Sequence, residues 1–341
     1  MANIAVIGAG AWGTALAIVL GRKGTHNVRL WAYEQEVCAS ISLRRVNELF
    51  LPGVEIPSNV EATNSLADAL KGAEIVLSVM PSHHARSIYT HMLPHLHPEM
   101  LFVSATKGIE NDTLLRMSQV IREVLGTAGI TPRLAALSGP SFAKEVAKGD
   151  PTAITVASAD NELASIIQHE FSDPNFRVYR NEDVTGVELG GSLKNVIAIA
   201  SGIVDGLGLG YNTAAALITR GLAEIARLTI ACGGRLETMS GLAGLGDLVL
   251  TCTGGLSRNR TVGVELGKGR KLPEIIAGMR GMVAEGVLTT NAAVGLSRKM
   301  GVEMPITEQM YEILHDGKAP HDAIRELMTR PSTSEVALIS Q

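Results

Sequence analysis

The sequence predicts two domains of different class: a doubly wound α/β domain over residues 1–183, then an all-α domain over residues 184–341. Three observations carry that expectation. Short, strongly apolar strands alternate with helical stretches through the first half, the pattern of a parallel sheet covered on both faces. A glycine-rich turn joins the first strand to the first helix. Beyond about Tyr179 the β-branched runs stop, and long Ala/Leu/Ile stretches replace them. A length of 341 residues agrees with two domains at roughly 150 residues each.

Taken in order, residues 3–7 (NIAVI) form a first strand, residues 14–23 a helix and residues 27–32 a second strand. Further strands are expected at 75–80, 101–106, 134–138, 153–157 and 176–179. Helices are expected at 65–71, 83–92, 113–125, 142–148 and 161–171. Ser65 followed by Asp68 resembles a capping box, and Asp112 is placed to cap the helix TLLRMSQVIREVL. In the second half, residues 193–203, 213–231 and 283–300 read as helices, and the polar passage 180–183 marks the seam. A tightly packed two-domain molecule is expected to hold its ligand in the cleft between the domains. The tail beyond Met328 carries turn residues and weak pattern, and reads as partly disordered.

Composition narrows the function classes. With 46% apolar and 19% charged residues the chain can build buried cores and does not repel itself into disorder. A net charge of −4 advertises no surface for nucleic acid or anionic membrane. Residues 4–21 run without a charge, but Gly8, Gly10 and Gly13 interrupt them, so they read as strand, turn and buried helix rather than a signal or a membrane span. Three scattered cysteines (Cys38, Cys232, Cys252) suit a reducing cytoplasm and offer neither a disulfide framework nor a CxxC spacing. Aromatics are only 4%, whereas 36 glycines exceed the usual share of ~7%, and that excess calls for backbone that needs glycine.

Gly8-Ala9-Gly10-Ala11-Trp12-Gly13 fits G-x-G-x-x-G between a strand and a helix. Gly8 permits the tight turn, Gly10 the approach of a pyrophosphate, and Gly13 close packing of helix on strand, with helix N–H groups facing the phosphates. This is a Rossmann-type dinucleotide site. The choice between NAD and NADP stays open: Glu34 stands slightly late for a ribose contact, Ala32 is no acid, and the nearest arginine is Arg29.

Four further clusters carry chemistry. Lys107 follows a buried strand, where doubly wound sheets face their ligands. Gly139 and Ser141 occupy another strand-to-helix turn, where Ser141 suits a helix cap or a ligand contact. Lys194 and Asn195 lie in an otherwise apolar helix, which is costly unless the charge has partners, a task or a route to the surface. Asp247 ends a glycine-lined turn and is followed by Ser257-Arg258-Asn259, a hydroxyl, a guanidinium fork and an amide at a helix start, suited to a phosphate monoester. The histidines His83, His84, His91, His95 and His97 lack an accompanying carboxylate cluster, so no metal site is expected.

Together, GAGAWGTALA, PSHHAR, SATKGIE, SGPSFAKE, ELGGSLKNVIAIA, ALITRGLAE, GLAGLGDLVLTCT, SRNR and GVEMPI resemble the bacterial NAD(P)-dependent glycerol-3-phosphate dehydrogenases, over about residues 3–320. That resemblance implies a dinucleotide-binding domain followed by a helical one, and glycerol 3-phosphate made for phospholipid synthesis in the cytoplasm. It implies Lys194 as general base toward the C2 hydroxyl of sn-glycerol 3-phosphate. Substrate positions would be Lys107, Gly139, Ser141, Asp247, Ser257, Arg258 and Asn259. Cofactor positions would be Gly8, Gly10, Ala11, Trp12, Gly13, Tyr33, Lys107, Ala143, Arg258, Val283 and Glu285. Many members carry a basic residue at Tyr33, suited to a 2′-phosphate; its absence here speaks against strict NADPH use.

An effective base near neutrality needs a lysine shifted from ~10.4 to about 7–8, which burial beside cations such as Lys107 and Arg258 would supply. Two rivals stand beside this reading. One is another two-domain NAD(P)-dependent dehydrogenase for a hydroxy acid or sugar acid, whose carboxylate would not need the Ser-Arg-Asn site. The other is a non-catalytic dinucleotide sensor, which would have little reason to keep Lys194 in an apolar helix. The helical half could also offer a homodimer face.

Overall fold

The structure, a computed structural model, describes residues 2–279, 283–332 and 334. It divides into two compact units: Met1–Thr106 with Met117–Val184, and Lys107–Arg116 with Thr185–Gln341. The first unit is an eight-stranded sheet of β1 (Ala2–Ile7), β2 (His26–Trp31), β3 (Val60–Thr63), β4 (Ile75–Ser78), β5 (Leu101–Ser104), β6 (Arg133–Ser138), β7 (Thr152–Ala157) and β8 (Phe176–Asn181). Its helices are α1 (Ala11–Arg22), α2 (Gln35–Arg44), α3 (Leu66–Leu70), α4 (Ala85–Met92), α5 (Met117–Gly126), α6 (Ala143–Lys148) and α7 (Asn161–Phe171). Strands run in the order 3-2-1-4-5-6-7-8, and the first six are mutually parallel, the order of a dinucleotide-binding sheet.

The strands form where apolar β-branched runs are buried. All of β4 is buried, and Ile4, Val6, Val28 and Leu30 share a core with Leu16, Ile18 and Leu20 of α1. Ser65 caps α3 by accepting from the Asp68 amide at 3.2 Å. The sheet is not wholly parallel, since β6 and β7 run antiparallel. The link between them carries only the six-residue α6. Two elements escaped the sequence pattern. Strand β3 pairs only with β2 at the sheet edge and buries only Val60, so it shows no apolar run. Helix α2 buries just Val37, Ser40 and Ile41 and shows as little.

The helix expected at 113–125 begins instead at Met117, five residues beyond Asp112. Residues 107–116 form a hairpin-like excursion, with a bridge between Ile109 and Arg116 and the Glu110 amide donating to the Leu115 carbonyl at 2.9 Å. Ile109 is buried in the second unit's core, which draws the segment away from the helical register of its neighbours.

The second unit holds α8 (Val184–Gly206), α9 (Tyr211–Ala231), α10 (Leu236–Met239), α11 (Asp247–Thr253), α12 (Arg258–Gly267), α13 (Leu272–Gly278), α14 (Glu285–Met300), α15 (Pro305–His315) and α16 (Pro320–Met328), with a π-helical turn at Leu242–Gly246 leading into α11. Helix α8 is long and apolar enough to cross a membrane, but its apolar window is entirely buried inside the protein. Against it lies α12 at backbone contact: a Cβ on Gly202 would stand 2.0 Å from the Arg260 carbonyl oxygen, and one on Gly263 2.0 Å from that of Ile199. Glycine is required there because no side chain fits between the two backbones. The expectation for the tail beyond Met328 falls largely on residues 333 and 335–341, which lie outside the described residues.

Candidate active site

Lys194 is 6% exposed on α8, among Leu193, Val196, Ile197 and Ala198. Its Nζ donates to Asp247 Oδ1 at 2.5 Å and to Thr251 Oγ1 at 2.7 Å. The other Asp247 oxygen accepts from Lys107 Nζ at 2.8 Å, so one carboxylate bridges two ammonium groups. Asp247 opens α11, where the helix N-terminus favours a carboxylate, directly after the π-helical turn. Thr251 is one turn further and donates to the Asp247 carbonyl at 2.6 Å. Close approach of α8 to this turn needs Gly190, where a Cβ would meet the Ala243 carbonyl oxygen at 2.6 Å.

Burial pushes the Lys194 ammonium down to about 8, with Lys107 adding to the fall and Asp247 opposing it. Lys107 is therefore the neighbouring cation. Arg258, expected to share that task, is not among the charges acting on Lys194. It opens α12, where desolvation weakens its hold on its proton and the Glu285 carboxylate opposes that. Ser257 caps the same helix, its Oγ accepting from the Arg260 amide at 3.2 Å. The Asn259 side chain donates to Asn195 Oδ1 and accepts from the Gly286 amide, both at 2.9 Å, tying α8 and α12 to the start of α14 beside Glu285. Val283 lies just ahead of that helix.

In the first unit, Gly8, Gly10, Ala11, Trp12 and Gly13 form the β1–α1 turn. Gly8 adopts φ 120°, and a Cβ on Gly13 would lie 1.8 Å from the Gly8 carbonyl oxygen. These residues fit a dinucleotide. The position a Cβ would take on Gly10 faces open space, α1 has no side-chain cap and no acid in its first turn, and Trp12 Nε1 is buried without a hydrogen-bond partner. Tyr33, 79% exposed after β2, meets Trp31 edge-on with ring centroids 6.2 Å apart. Gly139 adopts φ 141° and Ser141 Oγ donates to its carbonyl at 2.9 Å. Phe142, not Ser141, is the N-cap before Ala143 opens α6.

The structure thus brings Lys194, Asp247 and Lys107 together across long stretches of sequence, and adds Thr251, which motif reading passed over. Its signal was the i, i+4 spacing from Asp247 on one helix face. Among the described residues no group of three or more His, Cys, Asp or Glu side chains is placed to hold a metal ion, and Cys38, Cys232 and Cys252 are free thiols.

A dinucleotide turn in one unit and a lysine able to exchange a proton near neutral pH in the other are the parts of a nicotinamide-dependent alcohol dehydrogenase. Relatives narrow that class. The family model described as NAD-dependent glycerol-3-phosphate dehydrogenase N-terminus matches residues 3–164, and its C-terminal counterpart residues 183–325. Glycerol-3-phosphate dehydrogenase (NAD(P)+) of Koribacter versatilis is 75% identical over 338 residues, covering 99% of this chain and 100% of the relative. That of Acidobacterium capsulatum is 56% identical, covering 98% and 100%. The crystal structure of glycerol-3-phosphate dehydrogenase from Coxiella burnetii superposes with a TM-score of 0.91 at 42% identity, covering 96% of this chain and 99% of that one. The chain belongs to the NAD-dependent glycerol-3-phosphate dehydrogenase family.

Proposed function

We infer that the chain interconverts dihydroxyacetone phosphate and sn-glycerol 3-phosphate with NAD or NADP, and that Lys194 is its general acid/base. The buried Lys194–Asp247–Lys107 cluster carries the reading, in a chain 75% identical to a named glycerol-3-phosphate dehydrogenase. Such relatives do not favour the hydroxy-acid or sugar-acid alternative. When bound, the nicotinamide supplies a hydride acceptor or donor. In the oxidation, neutral Lys194 takes the proton of the C2 hydroxyl as that carbon loses its hydride. In the reduction, the Lys194 ammonium gives the proton to the C2 carbonyl oxygen. Asp247 and Thr251 occupy two of the three Nζ positions, which leaves the third for the substrate oxygen.

Arg258 and the capped start of α12 at Ser257 suit the phosphate, with Lys107, Gly139, Ser141, Asp247 and Asn259 completing the substrate set. The dinucleotide falls to Gly8, Gly10, Ala11, Trp12, Gly13, Tyr33, Lys107, Ala143, Arg258, Val283 and Glu285. On this division residues 1–183 serve the cofactor and 184–341 the substrate, with Lys107 working alongside the latter. Glycerol 3-phosphate so made feeds phospholipid synthesis in the cytoplasm, where three free thiols persist. A homodimer through the helical unit is favoured by its exposed Leu209 and Tyr211. The deciding assay follows NADH and NADPH at 340 nm. Absorbance is expected to fall with dihydroxyacetone phosphate and to hold steady with unphosphorylated dihydroxyacetone. Equal rates with both, or none with the phosphate, overturn the reading.

A further inference from the structure

Residues 107–116 leave the first unit's chain order to pack in the second, and the first of them, Lys107, donates to Asp247, the carboxylate that also holds Lys194. The rest of the segment is anchored twice. Arg116 Nη1 pairs with Glu188 Oε2 at 2.5 Å, with side chains 16% and 6% exposed, and Glu188 lies on α8, the helix of Lys194. Leu114 holds a left-handed φ of 61°, uncommon for a side chain of its size. Its Cδ2 covers Gly295 of α14, where a Cβ would come within 2.9 Å. A lysine side chain is otherwise among the most mobile, so Lys107 needs a fixed root to hold a single position.

We propose that residues 108–116 are a positioning clamp. The Arg116–Glu188 pair and the seating of Leu114 on Gly295 hold Lys107 on Asp247, which makes the clamp part of the acid–base machinery. The proposal rests on the reading of Lys194 as the proton-transfer group. The charged and titratable groups acting around that lysine are Lys107, which the clamp holds, and Asp247 and Cys252 from α11. Lys107 favours the neutral amine and Asp247 the ammonium. Loosening the clamp therefore leaves Asp247 dominant and raises the pH at which Lys194 loses its proton.

The test is the pH profile of kcat for glycerol 3-phosphate oxidation in the full-length enzyme. Arg116→Gln and Glu188→Gln are each expected to move the rising limb to higher pH by about half a unit, a loss of about threefold in kcat on that limb. Arg116→Lys, which keeps the charge, should stay near wild type. Gly295→Ala, which leaves the ion pair untouched and displaces Leu114, should move the limb in the same direction. In a Lys107→Met background none of these changes should move it further. A limb within about 0.1 unit of wild type in Arg116→Gln, Glu188→Gln and Gly295→Ala, whatever the loss in Tm, overturns the clamp. So does an undiminished extra shift in the Lys107→Met background. Lys194→Met separately tests the general base: turnover within tenfold of wild type would sink that reading and not merely the clamp.

Discussion

At Lys194 three effects compete. Burial disfavours the ammonium, Lys107 adds to that, and Asp247 opposes both, leaving a group that titrates at about 8. At pH 7 roughly one molecule in ten then carries the neutral amine, which suits the general acid/base role proposed for it. Oxidation of glycerol 3-phosphate should rise through about pH 8 as the amine is freed, and reduction of dihydroxyacetone phosphate should fall over the same range. Lys194→Met is expected to cost about 10²–10⁴-fold in kcat for both directions, read by steady-state assay. Its effect on stability should have the opposite sign. A lysine whose proton is held less tightly in the folded state penalises folding at every pH below about 8, and the penalty fades as pH rises toward the ordinary lysine value. Removing it should hold or raise Tm at neutral pH, and a clear fall would contradict this balance. Tyr33 bears on a separate proposal, the choice of dinucleotide. With Tyr33 in the cofactor set proposed above, Tyr33→Arg should raise the NADPH-to-NADH ratio of kcat/KM by about tenfold, a change of roughly 1.4 kcal/mol.

Among the elements, α8 and α12 decide how the second unit is assembled. Their glycines read in sequence as an unexplained excess; in the fold Gly202 and Gly263 let two backbones touch, and Gly206 and Gly267 extend the same contact. Gly263→Ala should therefore destabilise by about 1–3 kcal/mol in chemical denaturation, while Gly278→Ala, with open space around it, should be neutral or slightly stabilising. Helix α15 shows a different device. Its first amides, of Ile306 and Thr307, donate to the buried Glu224 carboxylate of α9 at 2.6 and 3.1 Å. Burial pushes that carboxyl up to about 7 in spite of those donors. The folded state then holds a proton that the unfolded chain releases near 4.5, so this group's stabilisation declines as pH rises from about 4.5 to 7. Glu224→Gln should flatten the stability profile across that window, and an unchanged slope would count against it. The strands and most helices were legible because burial imposes its period on local sequence. β3 and α2 were not, since each buries too few side chains to leave one.

For the whole molecule, the excursion at 107–116 matters most. A single boundary at 183 divides the chain neatly in sequence, yet Ile109 and Lys107 complete the second unit. A fragment of residues 185–341 should consequently be less stable than the same unit in the full chain, with its core open where Ile109 belongs. Circular dichroism melts of the fragment, with and without residues 107–116 grafted on, would reveal it; equal Tm values would refute the claim. Seven of the eight strands, the glycine turn, the stranded Lys194 and the Ser-Arg-Asn helix start were readable beforehand. Each is written in neighbouring residues, through periodicity, turn chemistry or a charge in an apolar run. The bridging of Lys107 and Lys194 by Asp247, the antiparallel β6–β7 pair and the partnership of Asn195 with Asn259 were not. Those depend on residues from 17 positions apart, Ser138 and Thr155 across β6 and β7, to 140, Lys107 and Asp247, and Coulomb and contact forces act on separation in space, which only the folded chain sets.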